Sequence, residues 1–256
     1  MIAVTRDVSP AVARCELTHL ARTPIDYGRA VAQHAAYRAL LASLGCEMVE
    51  IAGDAAYPDC VFIEDTAVVL EDLAVITRPG AESRRGEVDA VAAVLARSRP
   101  IVRIEAPGTI DGGDVLVLDD RIFVGRTSRT NDEGIAQLRA LTGREVIPIE
   151  VRGALHLKTA ITRVAPDALL VNRAWIDAAP FAGWRMIDVD PSEPFAANAL
   201  MVGDAVVYPA AFPRTRARLA GLDVRTVGLD IRTVDADELA KAEGGVTCCS
   251  ILIGEI

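Results

Sequence analysis

Thr66-Ala-Val-Val-Leu-Glu-Asp-Leu-Ala-Val-Ile-Thr77 decides the fold, because its pattern returns along the chain. Two short apolar runs flank a polar pair, which is the mark of a β-hairpin. Asp114-Val-Leu-Val-Leu-Asp-Asp-Arg-Ile-Phe-Val-Gly125 repeats it, and weaker copies occupy 158–172 and 198–209. Starts therefore recur every ~40 to 50 residues, a period typical of repeat architectures. The fifth copy is split. Ser250-Ile-Leu-Ile-Gly254 supplies its first strand and Ile2-Ala-Val-Thr5 its second, so the two ends of the chain pair and close a ring that leaves no bare sheet edge.

A helical stretch and a short strand follow each hairpin. The segment 27–44 places Val31, Leu40, Leu41 and Leu44 at helical spacing and ends at Gly45, before the strand 47–51. Helices over 84–97, 130–141 and 213–219 lead to strands at 101–104, 145–149 and 224–227. The third unit is poorest in helix, with only 174–179 before the strand 184–187. The expected architecture is α/β: five ββαβ units in a pseudo-symmetric propeller, formed by 1–256 as a single domain. No Pro/Gly/Ser-rich linker divides it. A mixed α/β sandwich is the alternative that the repeats leave open.

Composition narrows the function. Hydrophobic residues make up 51% and charged residues 25% of 256 residues, which excludes disordered and fibrous classes. The N-terminal residues lack a signal-peptide core and no apolar run approaches ~20 residues, so a cytoplasmic protein without a membrane partner is expected. A net charge of −9 argues against nucleic acid. The five cysteines (Cys15, Cys46, Cys60, Cys248 and Cys249) are odd in number and lack CxxC spacing, as befits reduced thiols.

In a ring of equivalent units, the loops entering the first strand of every hairpin converge on one end of the axis. Those loops are 58–65, 108–114, 153–157, 193–197 and 243–249. They carry Asp59, Glu64, Asp65, Asp111 and Asp114, and these acids would repel one another unless a cation joins them. A divalent metal is one reading of such a cluster. The Cys and His in the neighbouring loops favour covalent catalysis instead, with no metal. Cys248 follows the flexible Gly244-Gly245 turn, His156 is the base within the same set of loops, and Asp111 is the acid that would orient it. Taken singly, a cysteine is more often a small buried hydrophobe and a histidine a satisfied core residue. It is their joint placement at equivalent loops that argues for chemistry. His19, His34, Cys15, Cys46 and Cys60 are read as structural, and strand alternation points Cys249 away from Cys248. Arg84 and Arg129, on turns that leave the hairpins, could clamp a carboxylate. Acids on one side and arginines on another suit a zwitterion with an extra positive charge.

Six motifs then resemble one family: Phe62-Ile-Glu-Asp65, Arg78-Pro-Gly-Ala-Glu-Ser-Arg-Arg85, Pro107-Gly-Thr-Ile-Asp-Gly-Gly-Asp114, Arg129-Thr-Asn131, Leu155-His-Leu-Lys158 and Gly245-Val-Thr-Cys-Cys-Ser250. They span the chain and resemble the dimethylarginine dimethylaminohydrolases, guanidine-modifying penteins with a five-bladed ββαβ propeller. The resemblance implies hydrolysis of Nω-methylated arginine to citrulline, without a cofactor, through a thiouronium on Cys248. It also implies that Asp111 orients His156, that Glu64 and Asp65 lie near the guanidinium, and that Asp59 meets the α-amino group. Arg84 and Arg129 would meet the α-carboxylate, with Leu17 and Ala242 contributing mainly backbone. The implied partner is a small-molecule substrate, and a homodimer is left open. Ala242 is smaller than in some relatives, and the 17–26 segment, a candidate lid, is little constrained by motif. Substrate breadth therefore stays open to arginine or another alkylguanidine. A non-catalytic binding pentein, like translation initiation factor 6, is the alternative from another class.

Overall fold

The computed structural model describes residues 1–221, 223–224 and 227–254. Its strands form five small three-stranded sheets that share one plan, an antiparallel hairpin whose second strand pairs in parallel with a third. The first blade joins Ala67–Val69, Ala74–Ile76 and Ile101–Arg103. The second joins Val115–Leu118, Arg121–Arg126 and Glu145–Glu150. The third holds Ile161–Ala165, Ala168–Val171 and Arg185–Asp188, and the fourth Leu200–Val202, Ala205–Pro209 and Asp230–Val234. In the fifth blade Ile251–Ile253 pairs with Ile2–Arg6, which pairs in turn with Glu47–Ile51. The chain ends thus meet as the split repeat requires.

Tight turns follow from local chemistry. The second-blade hairpin turns at Asp119, whose φ is 55°, and the fourth at Gly203 with φ 56°, the left-handed backbone that two-residue hairpin loops demand. A parallel third strand needs a crossover, supplied by the helices Tyr27–Ser43, Val88–Leu95, Asp132–Thr142 and Pro213–Ala220. Asp26 and Asn131 cap two of these by accepting from the backbone N–H of Arg29 and Gly134.

Burial is organised around the ring. Five apolar clusters form, one at each junction between neighbouring blades; Val68, Val75, Ile122 and Val124 meet between the first and second, for example. The first strands of all five blades surround an axial channel of about 190 Å³. None of the helices among the described residues is long and apolar enough to cross a membrane.

Three expectations are corrected. The third unit carries only the short turn Ala179–Phe181 where 174–179 was expected. The last strand of the fourth blade is Asp230–Val234, not 224–227; Val224 and Val227 pair in a separate small hairpin, and Arg225 and Thr226 lie outside the described residues. In the first helix Val31 is 38% exposed, while the buried face carries Ala30, Gln33, His34, Tyr37 and Leu41. Polar residues occupy part of that face because they find partners on it: Gln33 accepts from the N–H of Glu238, and Tyr37 Oη donates to the Val246 carbonyl.

His34 has no hydrogen-bond partner for Nε2 among the described residues, and burial lowers its pKa to about 4. The unfolded imidazole takes a proton near 6.5, so its contribution to stability is intact above that pH and is lost as pH falls towards 4. The loss amounts to about 3 kcal/mol. Urea unfolding at pH 7 and pH 4.5 should show a larger fall in stability for the wild type than for His34→Gln; equal falls would remove His34 as the cause.

Candidate active site

Cys248 and His156 line one small cavity at the end of the ring axis, together with Asp59, Asp65, Arg129 and Ala242. These side chains come from loops of three blades and from the turn after the second strand of another, which is the convergence expected of a ring. The cavity measures about 10 Å³, room for roughly one water.

His156 precedes the helical turn Leu157–Ala160. Its Nε2 lies 3.0 Å from Asp111 Oδ2, while Nδ1 is 3.8 Å from Asp65 Oδ1. The ring packs against Gly113, where a Cβ would sit 2.7 Å from Nδ1, so glycine is required for the approach. Burial opposes charging the ring, but Asp65, the hydrogen bond to Asp111, and Asp114 outweigh it and push the pKa up to about 9. His156 is therefore an imidazolium at neutral pH.

Cys248 behaves in the opposite sense. Burial, Glu64 and Asp65 push its thiol up to about 12, against the N–H of Gly245 that donates to Sγ over 3.3 Å. The loop is braced from behind. Asn198 accepts from the N–H of Thr247 and donates to its Oγ1, and Thr247 Oγ1 donates to Glu64 Oε2 at 2.8 Å. Cys249 points elsewhere, its Sγ donating to the Gly245 carbonyl over 3.5 Å. Cys15, Cys46 and Cys60 are also buried free thiols.

Several expected roles look different in place. Glu64 borders the axial channel and not the small cavity, and its oxygens are taken by Lys158 Nζ at 2.5 Å and by Thr247. One of the two lysines thus supplies the cation that the acidic cluster needs. Asp114 is fully buried behind the cavity, accepting from Thr127, Thr130 and the N–H of Leu157. Arg84 reaches the cavity wall, but its guanidinium donates to Asp65 Oδ2 at 2.6 Å, to both oxygens of Glu87 and to the carbonyls of Phe62 and Asp59. A guanidinium so committed has little left for a carboxylate clamp. Asp59 accepts from the N–H of Glu16 through both oxygens. Leu17 is half-buried against the apolar core, and it is Glu16 and Glu243, neither singled out in the sequence, that border the cavity.

Asp65, Asp111 and His156 present ligand atoms within 4.8 Å of one another, the group among the described residues that could hold a metal ion. Arg84 already holds Asp65, and Arg129 Nη1 stands 3.8 Å from Asp111, so protein cations balance these acids.

A propeller of five ββαβ blades with Cys, His and acid at one end of its axis defines a pentein of the guanidine-modifying kind. The family model described as "N,N dimethylarginine dimethylhydrolase, eukaryotic" matches residues 22–180. A dimethylarginine dimethylaminohydrolase of Streptomyces coelicolor is 39% identical over 258 residues, covering 99% of this chain and 97% of its own. The Pseudomonas aeruginosa enzyme, in a cysteine-to-serine variant complexed with citrulline, superposes with a TM-score of 0.90 at 32% identity, over 97% of both chains. A dimethylarginine dimethylaminohydrolase adduct with S-methyl-L-thiocitrulline gives a TM-score of 0.89 at 32% identity, covering 97% of this chain and 98% of that one. The chain belongs to the dimethylarginine dimethylaminohydrolase family.

Three variants test this geometry. Cys248→Ser should abolish turnover while Cys249→Ser keeps most of it; equal loss in both would discard Cys248 as the nucleophile. Arg84→Ala would strand Asp65 and Glu87 as buried anions and should cost about 3–5 kcal/mol in chemical denaturation. A loss below about 1 kcal/mol, the range of an exposed pair, would contradict the burial argument.

Proposed function

We propose that the chain hydrolyses Nω-methylated L-arginine to L-citrulline and dimethylamine or methylamine, as a single cytoplasmic domain over residues 1–256. The observation that carries this reading is the shared cavity, in which a thiol and an imidazolium stand beside a carboxylate, Asp65, suited to a planar cation. The Pseudomonas aeruginosa relative binds the product citrulline, and a family member forms an adduct with a thiocitrulline, both in line with it.

The residues divide the work as follows. Asp65, held ionised by His156 and Arg84 despite its burial, receives the guanidinium. Entry of that cation favours the thiolate of Cys248 and drives its proton to solvent, since opposite charges in a buried site lower a thiol pKa. The thiolate attacks the guanidinium carbon and a tetrahedral adduct forms. His156 gives a proton to the departing amine, whose C–N bond breaks and leaves a thiouronium on Cys248. The now neutral imidazole takes a proton from water, whose oxygen adds to the same carbon; collapse breaks the C–S bond, expels the thiolate and releases the remaining hydroxyl proton to solvent, which yields the ureido group of citrulline. Asp111 keeps the ring oriented throughout. At the other end of the substrate, Asp59 pairs with the α-amino group and Arg129 with the α-carboxylate, while Ala242 offers backbone.

Incubation with asymmetric dimethylarginine, monomethylarginine and arginine, with citrulline measured, tests the assignment. Methylated substrates should be turned over in preference, and kcat/KM should fall as pH rises through about 9, where His156 of the free enzyme loses its proton. Preference for arginine would reassign the substrate; no turnover of any guanidine would favour a binding protein.

A further inference from the structure

The small cavity cannot admit an arginine-sized molecule as it stands, so the segment that covers it has to move. Glu16 lines its wall and opens the segment 16–26, which runs between the short turn Val12–Arg14 and the helix that begins at Tyr27. One side chain holds its tip. Glu243 Oε1 accepts from the backbone N–H of His19 and of Leu20, both at 2.6 Å, and both of its oxygens accept from Thr18 N–H at 3.1 Å. Three consecutive amides aimed at one carboxylate make an anion-binding nest of the kind that otherwise cradles phosphates. Glu243 also adopts φ 61°, a left-handed backbone uncommon for glutamate, directly before Gly244-Gly245 and the loop that carries Cys248.

We propose that Glu243 is the latch of this lid, a positioning residue that ties lid closure to the nucleophile loop. The residues assigned to the amino-acid end of the substrate take part in the same closure. Asp59 holds the N–H of Glu16, and Arg129 Nη2 donates to Thr18 Oγ1 at 3.2 Å. These two therefore exchange lid contacts for substrate contacts, whereas Glu243 serves the lid alone. Loss of the latch lowers the closed population, and apparent affinity falls in proportion to that population.

Hydrogen exchange over 16–22 reads the latch directly. Glu243→Gly keeps the left-handed backbone, and Glu243→Gln keeps the reach while weakening the acceptor. Exchange of Thr18, His19 and Leu20 should quicken by roughly tenfold or more in the Gly variant and by less in the Gln variant, with amides of Arg121–Arg126 unchanged as internal control. Exchange within about twofold of wild type in both variants would overturn the latch. A second readout rests on the proposed activity: KM should be highest in the Gly variant, severalfold above wild type, and intermediate in the Gln variant, with a smaller change in kcat. If no guanidine is turned over, the exchange result still decides the latch, so the two failures are told apart.

Discussion

Everything at the active end of this ring depends on how buried carboxylates are kept charged. Five acids are delivered there by the repeat, and in a low-dielectric setting each would protonate or push its neighbours apart unless a cation stands between them. The structure inserts cations one by one. Lys158 takes Glu64, Arg84 takes Asp65 and Glu87, and His156 sits between Asp65 and Asp111. The imidazolium is thus part of the charge balance before it is an acid in any reaction, which explains why its pKa is pushed up despite burial.

That balance leaves the proposed nucleophile unready. Asp65, which helps to raise His156, also raises the Cys248 thiol together with burial and Glu64, so a thiolate and imidazolium pair is not the resting state. A cationic substrate reverses the sign of the field at the sulfur. In the proposed reaction the thiol becomes reactive only with a guanidinium in place, which links selectivity to charge as well as shape. The proposed lid adds a further condition, since the N–H of Glu16 borrows Asp59 and the hydroxyl of Thr18 borrows Arg129, the groups assigned to the far end of the substrate.

Much of this was legible in the sequence. Hairpin copies with apolar pairs and polar turns gave all five blades and the pairing of the chain ends, because alternation and turn chemistry are local. Cys248, His156 and Asp111 could be picked out because ring symmetry brings equivalent loops together, whatever their separation along the chain. What stayed hidden depends on contacts made only after closure. Val31 looked like core by helical spacing, yet the helix buries Gln33 instead, through a partner 205 residues away. Arg84 read as a free clamp because nothing in the spacing shows that Glu87, three residues on, is buried against its guanidinium. Glu243 gave no signal at all, since its partners are backbone amides of a loop 223–225 residues distant.

Imidazole proton and nitrogen spectra of the ligand-free protein test the charge balance most directly, and with only three histidines they are readily assigned by a His156→Asn variant. The account predicts that the His156 ring stays protonated at neutral pH and titrates near about 9. A neutral ring that titrates at or below the ordinary 6.5 would contradict it, because the buried acids would then have to be charged without the cation placed among them.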